Sequence, residues 1–440
     1  MNYLLGIDAG TTSIKAGLFS SVGHCLAVAR QEYSIVTPQP GRAELDPEIY
    51  WQACITTVKS VIEQTGVRHP SAVSVSSQGE TLIALDASGK PVYPALLWLD
   101  NRAESEAKIL AEIFAPEVYE KTGIPEIIPT WTACKILWLK RHEPDAFSRA
   151  SKFMLVQDYL IYRLTGECVT NRSIACTSLL LDIVQGKWWQ AVLNELEISE
   201  QKLPRLVETG ETIGKISPTA AQQTGLPQST VVVGGGMDQS VGAIGAGNIR
   251  EGIVSETTGA ALTIQVTIPS PDVDRQKIIP VYCHSIPGEF LFVPVCPTGG
   301  MAYKWLRDTF AFPEVLQPKI KDADPYDLLD EMAKEVPAGC DGLVMLPHLM
   351  GAYSPDPNPA ARGSFTGFTL SHTRNHFVRA VLEGVAFLLK RNLDVLQQAG
   401  VAISEIRSTG GGARSPLWNA IKADVCNLPV VTLKNEDTAL

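Results

Sequence analysis

An α/β fold built as two similar halves is predicted by three features of this sequence. Short apolar runs alternate with longer helical patterns along the chain. An apolar run, a Thr/Gly turn and a second apolar run open the chain at 3–20, and the same succession returns at 252–266. The length, 440 residues, suits two or three domains at roughly 150 residues each.

The elements follow in order. YLLGID (3–8) and IKAGLFS (14–20) flank the turn AGTTS (9–13) and read as a β-hairpin. TPQPGRAELD (37–46) reads as a loop that starts no strand or helix of its own. A helix follows it. Asp46 is placed to cap, Pro47 takes the first helical position, and Trp51, Ile55, Val58 and Ile62 fall on one face. SAVSVSS (71–77) alternates as a strand and ends in Gln78-Gly79-Glu80, after which LIALD (82–86) continues as strand. Residues 101–165 are mostly helical by pattern, and 166–230 are mixed. TVVVGGG (230–236) is a β-branched run ending in three glycines, followed by a helix of small residues over 237–246. The second half predicts a hairpin at 252–266, a helix near 299–310 and a strand at 342–347. A long helix near 375–399, the strand EIRSTGGG (405–412) and a helix over 416–426 complete it. The domains are set at 1–247 and 248–440.

Composition excludes several classes. Lys plus Arg is 37 against 47 for Asp plus Glu, a formal net charge of −10, so the chain has no general means of neutralising nucleic-acid phosphates. The AVILMFWYC fraction of 45% is enough for large cores and rules out global disorder. No apolar run approaches the roughly 18 residues that span a bilayer. The start MNYLLGIDAG lacks a basic n-region. Nine scattered cysteines without a CxxC pair fit neither a disulfide framework nor a zinc knuckle. The expectation is a soluble, reduced, cytoplasmic protein without nucleic-acid or membrane partners.

Several segments carry chemistry. In DAGTTSIK (8–15) a Gly/Thr turn offers backbone N–H groups and hydroxyls to anionic oxygens, and Asp8 is placed to hold Mg²⁺. An ordinary hairpin with a solvated Asp8 is the alternative. ETTGAALT (256–263) is a second such turn, weaker by itself; together the two are suited to clamping one polyphosphate. GGGMDQS (234–240) puts Asp238 at a strand end and a helix mouth, where a carboxylate can act as a general base; an N-cap Asp is the plain alternative. The glycines of GGGARS (410–415) let a ring or phosphate approach the backbone, or simply make a tight turn. WLDNR (98–102) and SSQGE (76–80) supply directed polar side chains of the kind polyhydroxylated ligands need. His372 and His376 have metal-compatible spacing but no third ligand nearby.

Taken together, these segments resemble the FGGY carbohydrate kinases, the group of xylulokinase, glycerol kinase, ribulokinase and gluconokinase. LGIDAGTTSIKAGLF is similar to the family's first phosphate motif. GRAELDPEIYW (41–51), LLWLDNR (96–102) and DYLIYRLTGE (158–167) are similar to family segments. TACKILWLKRH (132–142) matches one family signature in the spacing of Lys135, Trp138 and Leu139, with Thr130 a departure at its start. GSFTGFTLSHTRNHFVRAVLE (363–383) matches the other, with Phe368 a departure. GGGARSPLWNAIKADVCNLPV resembles the adenosine-binding segment.

The resemblance implies the two-lobed actin/hexokinase/Hsp70-like, ribonuclease H-like fold with its active site in the interdomain cleft. It implies ATP and Mg²⁺, a small-molecule sugar as acceptor, and leaves a homodimer open. Asp238 would be the base for the sugar hydroxyl and would touch the sugar itself. Asp8 would organise the metal. Gly10, Thr11, Thr12 and Lys15 would serve the first phosphate turn, and Thr258 and Gly259 the second. Gly411, Gly412 and Ala413 would lie against the nucleotide. Gln78, Gly79, Glu80, Asp100 and Arg102 would line the sugar pocket. YCHSIPGEF (282–290) looks xylulokinase-like, whereas Gly79-Glu80-Thr81 stands closer to the Arg-Glu-Thr of glycerol kinases. D-xylulose is the expected substrate, with a glycerol kinase-like polyol kinase as the alternative. The family continues beyond NEDTAL into further helices, so an inactive or sugar-binding-only fragment, weak in ATP binding, is a third reading. A chaperone or filament protein of the same fold is a fourth, set apart by ATP turnover that needs no polyol.

Overall fold

In the computed structural model, residues 2–272, 277–310, 324–434 and 438–440 are described. The chain forms two compact units. One comprises the residues up to Gly245 with Val281–Phe290 and the last residues to Leu440, and the other Ala246–Pro280 with the chain from Leu291 onward. Among the described residues, no helix is long and apolar enough to cross a membrane.

The first unit is built on a six-stranded sheet. Its strands are β1 (Tyr3–Ala9), β2 (Ser13–Ser20), β3 (Cys25–Glu32), β4 (Ala72–Ser77), β5 (Thr212–Lys215) and β6 (Val231–Met237), in spatial order β5-β6-β4-β1-β2-β3. The predicted hairpin is β1 and β2, antiparallel from Tyr3 opposite Ser20 to Ala9 opposite Ile14. β1 pairs β4 in parallel, and β4 pairs β6 in parallel. The parallel pairs bring the carboxyl ends of β1, β4 and β6 to one edge, where an α/β sheet binds ligands. β6 can lie there because it is glycine-rich. A Cβ at Gly235 would fall 1.7 Å from the Val75 carbonyl oxygen, so only glycine fits against β4.

α1 (Pro47–Thr65) covers this sheet with the predicted face: Trp51, Ile55 and Val58 are buried and Ile62 packs against the same core. Asp46 caps it, accepting from Glu48 N–H at 2.9 Å, and Gly66 closes it with φ 69°. The loop before it corrects one expectation. Glu44–Leu45 is a short strand, paired antiparallel with Ala95–Leu96. The Pro/Gly composition hid it, because its partner lies fifty positions along the chain.

α2 (Thr132–His142) and α3 (Val156–Thr165) bury polar side chains as well as apolar ones, including Lys135, Gln157 and Asp158. Asp158 Oδ2 accepts the Leu155 N–H at 2.9 Å. Burial pushes its pKa up to about 7, against the pull of that bond and of Thr170. In the unfolded chain it titrates near 3.9, so it costs no stability below that pH, and a loss accrues as pH rises through about 7. Asp158→Asn keeps an acceptor for Leu155 and removes the charge. Its melting temperature relative to the parent should climb between pH 4 and 8; a difference that is flat with pH would show that Asp158 ionises normally.

The second unit repeats the motif. β7 (Gly252–Thr258) and β8 (Leu262–Ile268) form the second predicted hairpin, and β7 pairs in parallel with β9 (Ile403–Thr409), which pairs in parallel with β10 (Val430–Thr432). Hairpin plus parallel neighbour is thus common to both units, as the sequence echo implied. The helices α5 (Gly300–Phe310), α6 (Pro325–Lys334), α7 (Arg374–Gln398) and α8 (Pro416–Cys426) pack together, α7 touching the other three. A short 3₁₀ turn, Gly411–Arg414, separates β9 from α8, where the sequence suggested strand running through the glycines into helix.

Candidate active site

In the first unit the strand register gathers the predicted residues. Asp8 lies opposite Ser76, and Gly236 and Met237 lie opposite Ser76 and Ser77. Asp8, the segment Gln78–Glu80 and Asp238 therefore emerge together at the carboxyl edge of the sheet. Asp238 opens α4 (Asp238–Gly245) and its Oδ1 accepts the Gln239 N–H at 2.6 Å. Burial pushes its pKa up to about 8, and the negative charges of Asp8 and Glu80 add to the effect. In its ionised form a carboxylate of raised proton affinity is the stronger general base. Ser76 Oγ donates to Asp8 Oδ1 at 3.0 Å, and Lys15 is the cross-strand neighbour of Asp8.

The Gly10–Thr12 turn has a specific hydrogen-bond economy. The Thr11 hydroxyl donates to Gln78 Oε1 at 2.7 Å and accepts from Trp98 Nε1 at 2.9 Å. Gln78 also donates to the Tyr50 hydroxyl at 3.0 Å. Thr11 thus ties the turn to the neighbouring polar segment. The backbone N–H groups of Thr11 and Thr12 have no acceptor among the described residues, which is the arrangement an anion nest offers.

Glu80 adopts a left-handed backbone, φ 56°. Lys135 is fully buried beside it and donates to the Glu80 carbonyl at 3.0 Å. Burial raises the Glu80 carboxyl and lowers the Lys135 ammonium, while their mutual attraction opposes both shifts. Thr177 hydrogen-bonds Glu80, and a Cβ at Gly79 would come 2.6 Å from Thr177 Oγ1. Asp100 and Arg102 form a separate knot. The Asp100 carboxylate accepts from Ala43 N–H at 2.6 Å and from Arg102 Nε and Nη2 at 2.8 and 2.7 Å. Arg102 Nη2 also reaches Glu44 at 2.6 Å, and the guanidinium lies 4.9 Å from the Trp138 ring centroid. Arg102 Nη1 is buried with no hydrogen-bond partner among the described residues.

One side chain at this edge escaped sequence reasoning as a site residue. Tyr282 belongs to the stretch Val281–Phe290 that joins the first unit from the far half of the sequence. Its ring packs on Leu155, Ile174 and Met237. Its phenol is held protonated by burial, with Glu80, Cys176 and Asp238 nearby. Ser285 N–H donates to Ser240 Oγ at 2.6 Å, fastening the stretch two residues beyond Asp238. YCHSIPGEF stood out in the sequence for its resemblance to xylulokinases, but the place of Tyr282 beside Asp238 was not legible there.

In the second unit the parallel register of β7 and β9, Thr257 opposite Thr409, sets the hairpin turn beside the glycines 410–412. Between them lies a cavity of about 380 Å³ lined by Thr258, Gly259, Gly300, Tyr303, Gly411, Gly412 and Trp418, with Asp327, Asp330 and Arg414 at its wall. Ala413 is not on its lining; its carbonyl accepts from Asn419 Nδ2 at 2.8 Å. The N–H groups of Ala260 and Ala261 have no acceptor among the described residues. The pair His372 and His376 is occupied elsewhere, donating from Nε2 to the Cys340 carbonyl and to Asp341 Oδ2, each at 3.1 Å.

Among the described residues, no group of three or more His, Cys, Asp or Glu side chains is arranged to hold a metal. Asp8 instead faces a second carboxylate, Asp238, whose proton affinity it raises. The Asp8 carboxylate suits a cation bound by one carboxylate with phosphate oxygens and water, the coordination Mg²⁺ favours.

Known proteins match this chain end to end. The model for the N-terminal domain of the FGGY family of carbohydrate kinases matches residues 3–245, and that for the C-terminal domain 257–440. A gluconokinase of Bacillus subtilis is 34% identical over 442 residues, 100% of this chain and 85% of that protein. A xylulose kinase of the same organism is 30% identical over 438 residues, 99% of this chain and 86% of that protein. The crystal structure of xylulose kinase from Rhodospirillum rubrum superposes with a TM-score of 0.91 at 31% identity, covering 100% of this chain and 88% of that one.

Proposed function

The chain belongs to the FGGY family of carbohydrate kinases, and from that premise we propose that it phosphorylates a neutral ketose or polyol, D-xylulose first, at a primary hydroxyl. Identity to relatives does not choose between xylulose and gluconate, since both kinds of kinase lie at similar distance. Charge does. Asp8, Glu80 and Asp238 share one sheet edge, where Lys135 is paired with Glu80, and Arg102 with Asp100 and Glu44. An aldonate carboxylate placed there would face the Asp8 carboxylate and drive the buried Glu80 and Asp238 carboxyls further toward their protonated forms, whereas a neutral polyol meets oxygens that can accept from its hydroxyls. This is the observation that carries the reading.

Phosphoryl transfer passes through a loose transition state, so the protein's work is positioning and charge placement. Asp238 takes the proton of the sugar hydroxyl. Glu80, the Tyr282 phenol and the Arg102 Nη1 donor orient the sugar. The open N–H groups of Thr11 and Thr12, and of Ala260 and Ala261, hold phosphate oxygens. The glycines at 411–412 and the Trp418 ring receive the nucleoside. Mg²⁺, held through Asp8, would neutralise charge on the phosphates.

The test is ADP release with D-xylulose, glycerol and gluconate in parallel. Turnover greatest with D-xylulose supports the proposal; turnover greatest with gluconate overturns the charge argument. Glu80→Gln adds a finer check. A hydrogen bond to a charged group is worth about 1.5–3 kcal/mol, so the sugar KM should rise by about ten-fold or more with the ATP KM unchanged. An unchanged sugar KM would remove Glu80 from the sugar site.

A further inference from the structure

Beneath the cavity of the second unit lies a fully buried ion pair that the function above does not use. Lys422 of α8 and Glu256 of β7 have no solvent exposure. Lys422 Nζ donates to Glu256 Oε1 at 2.6 Å, to Thr258 Oγ1 at 2.9 Å and to Ser408 Oγ at 3.3 Å. The Thr258 hydroxyl donates to Glu256 Oε2 at 2.7 Å, and Ser408 Oγ donates to Glu256 Oε1. All three protons of the ammonium and both oxygens of the carboxylate are therefore matched. Lys422 Nζ also stands 5.2 Å from the ring centroid of Trp418, a lining residue of the cavity.

Such a pair is a weak source of stability. Desolvating two charges cancels most of their attraction, and well-packed apolar residues often replace a buried pair at no loss. What it does supply is position. Thr258 is fixed by two bonds, and it lies directly under the glycine turn, where a Cβ at Gly412 would come within 2.6 Å of it. Its hydroxyl proton points to Glu256, away from the cavity, so the hairpin turn is left to meet a phosphate with its backbone N–H groups.

We propose that Lys422 and Glu256 are positioning residues for the phosphoryl donor. They turn the Thr258 hydroxyl inward and hold the 258–261 turn against the 410–412 turn, so that backbone donors rather than the hydroxyl face the nucleotide. The proposal rests on the reading of this cavity as the ATP site.

The experiment measures ATP dissociation by calorimetry for the full chain and for Lys422→Met, Glu256→Gln and the double variant Lys422→Met/Glu256→Leu, with melting temperatures alongside. Each single variant leaves a buried charge unpaired and should lose stability. The double variant should recover its melting temperature, yet bind ATP about ten-fold more weakly than the parent, with an unchanged sugar KM. ATP affinity that recovers in step with melting temperature would reduce the pair to a structural role and overturn the proposal. So would tighter ATP binding in the double variant, because that would mean the freed Thr258 hydroxyl is itself a phosphate ligand. Gly412→Val separates the two levels. If it leaves ATP binding intact, the reading of the cavity fails; if it weakens binding while the double variant does not, only the positioning role fails.

Discussion

Asp238→Asn should lower sugar phosphorylation by roughly 10²-fold or more, the range that a positioned base contributes. The substitution is nearly isosteric. Asn retains an oxygen to accept the Gln239 N–H that Asp238 now holds at 2.6 Å, so the start of α4 should keep its geometry. What disappears is proton affinity. In the parent that affinity is enhanced, because burial and the charges of Asp8 and Glu80 all favour the protonated carboxyl and bring its pKa to about 8. Once ionised, such a group binds a hydroxyl proton more firmly than an exposed aspartate would. Calorimetry should find ATP affinity unchanged in the variant, and rapid-quench kinetics should find the deficit in the chemical step. Near-normal turnover would mean that another group takes the proton, and that Asp238 only helps to start its helix.

Much of this site was legible because local chemistry wrote it. The Thr/Gly turns of 9–13 and 258–261 are fixed by the residues within them, and both became hairpins. Asp46-Pro47 announced α1, and the glycines before Asp238 announced a strand end, whose close approach to β4 only the fold shows. Partnerships remained hidden. Lys135 sits in a helix whose pattern looks ordinary, and only the fold shows it buried against Glu80, fifty-five positions earlier. Lys422 and Glu256 are separated by 166 positions, and each in isolation reads as a solvated charge. Tyr282 enters the first unit from the other side of the unit boundary, which no periodicity reveals. Arg102 could be named as a polar residue near a strand end, but not as the centre of a knot with Asp100, Glu44 and Trp138. Buried charge is the common thread. A sequence displays charges as surface, and only tertiary partners make their burial affordable.

Gly412→Val should weaken ATP binding by roughly 5–150-fold, the span that about 1–3 kcal/mol of overpacking corresponds to. A Cβ at this position would fall 2.6 Å from both Thr258 Cβ and Cγ2, and 3.3 Å from Trp418 Cζ3. Neither neighbour can retreat cheaply. Thr258 is held by Lys422 and Glu256, and the Trp418 indole N–H is bonded to the Leu382 carbonyl at 3.0 Å. The strain must therefore be relieved by lifting the 410–412 turn into the cavity that Thr258, Gly412 and Trp418 line. Gly411→Ala is the control, since a Cβ there meets nothing within 4 Å and the turn should stay in place. The sugar KM, measured at saturating ATP, should be the same in both variants, because the proposed sugar residues belong to the other unit. Calorimetric titration with ATP decides the matter. Equal affinity in the parent and in Gly412→Val would show that the nucleotide binds elsewhere, whereas a loss confined to the valine variant would tie the nucleotide to the space above Thr258.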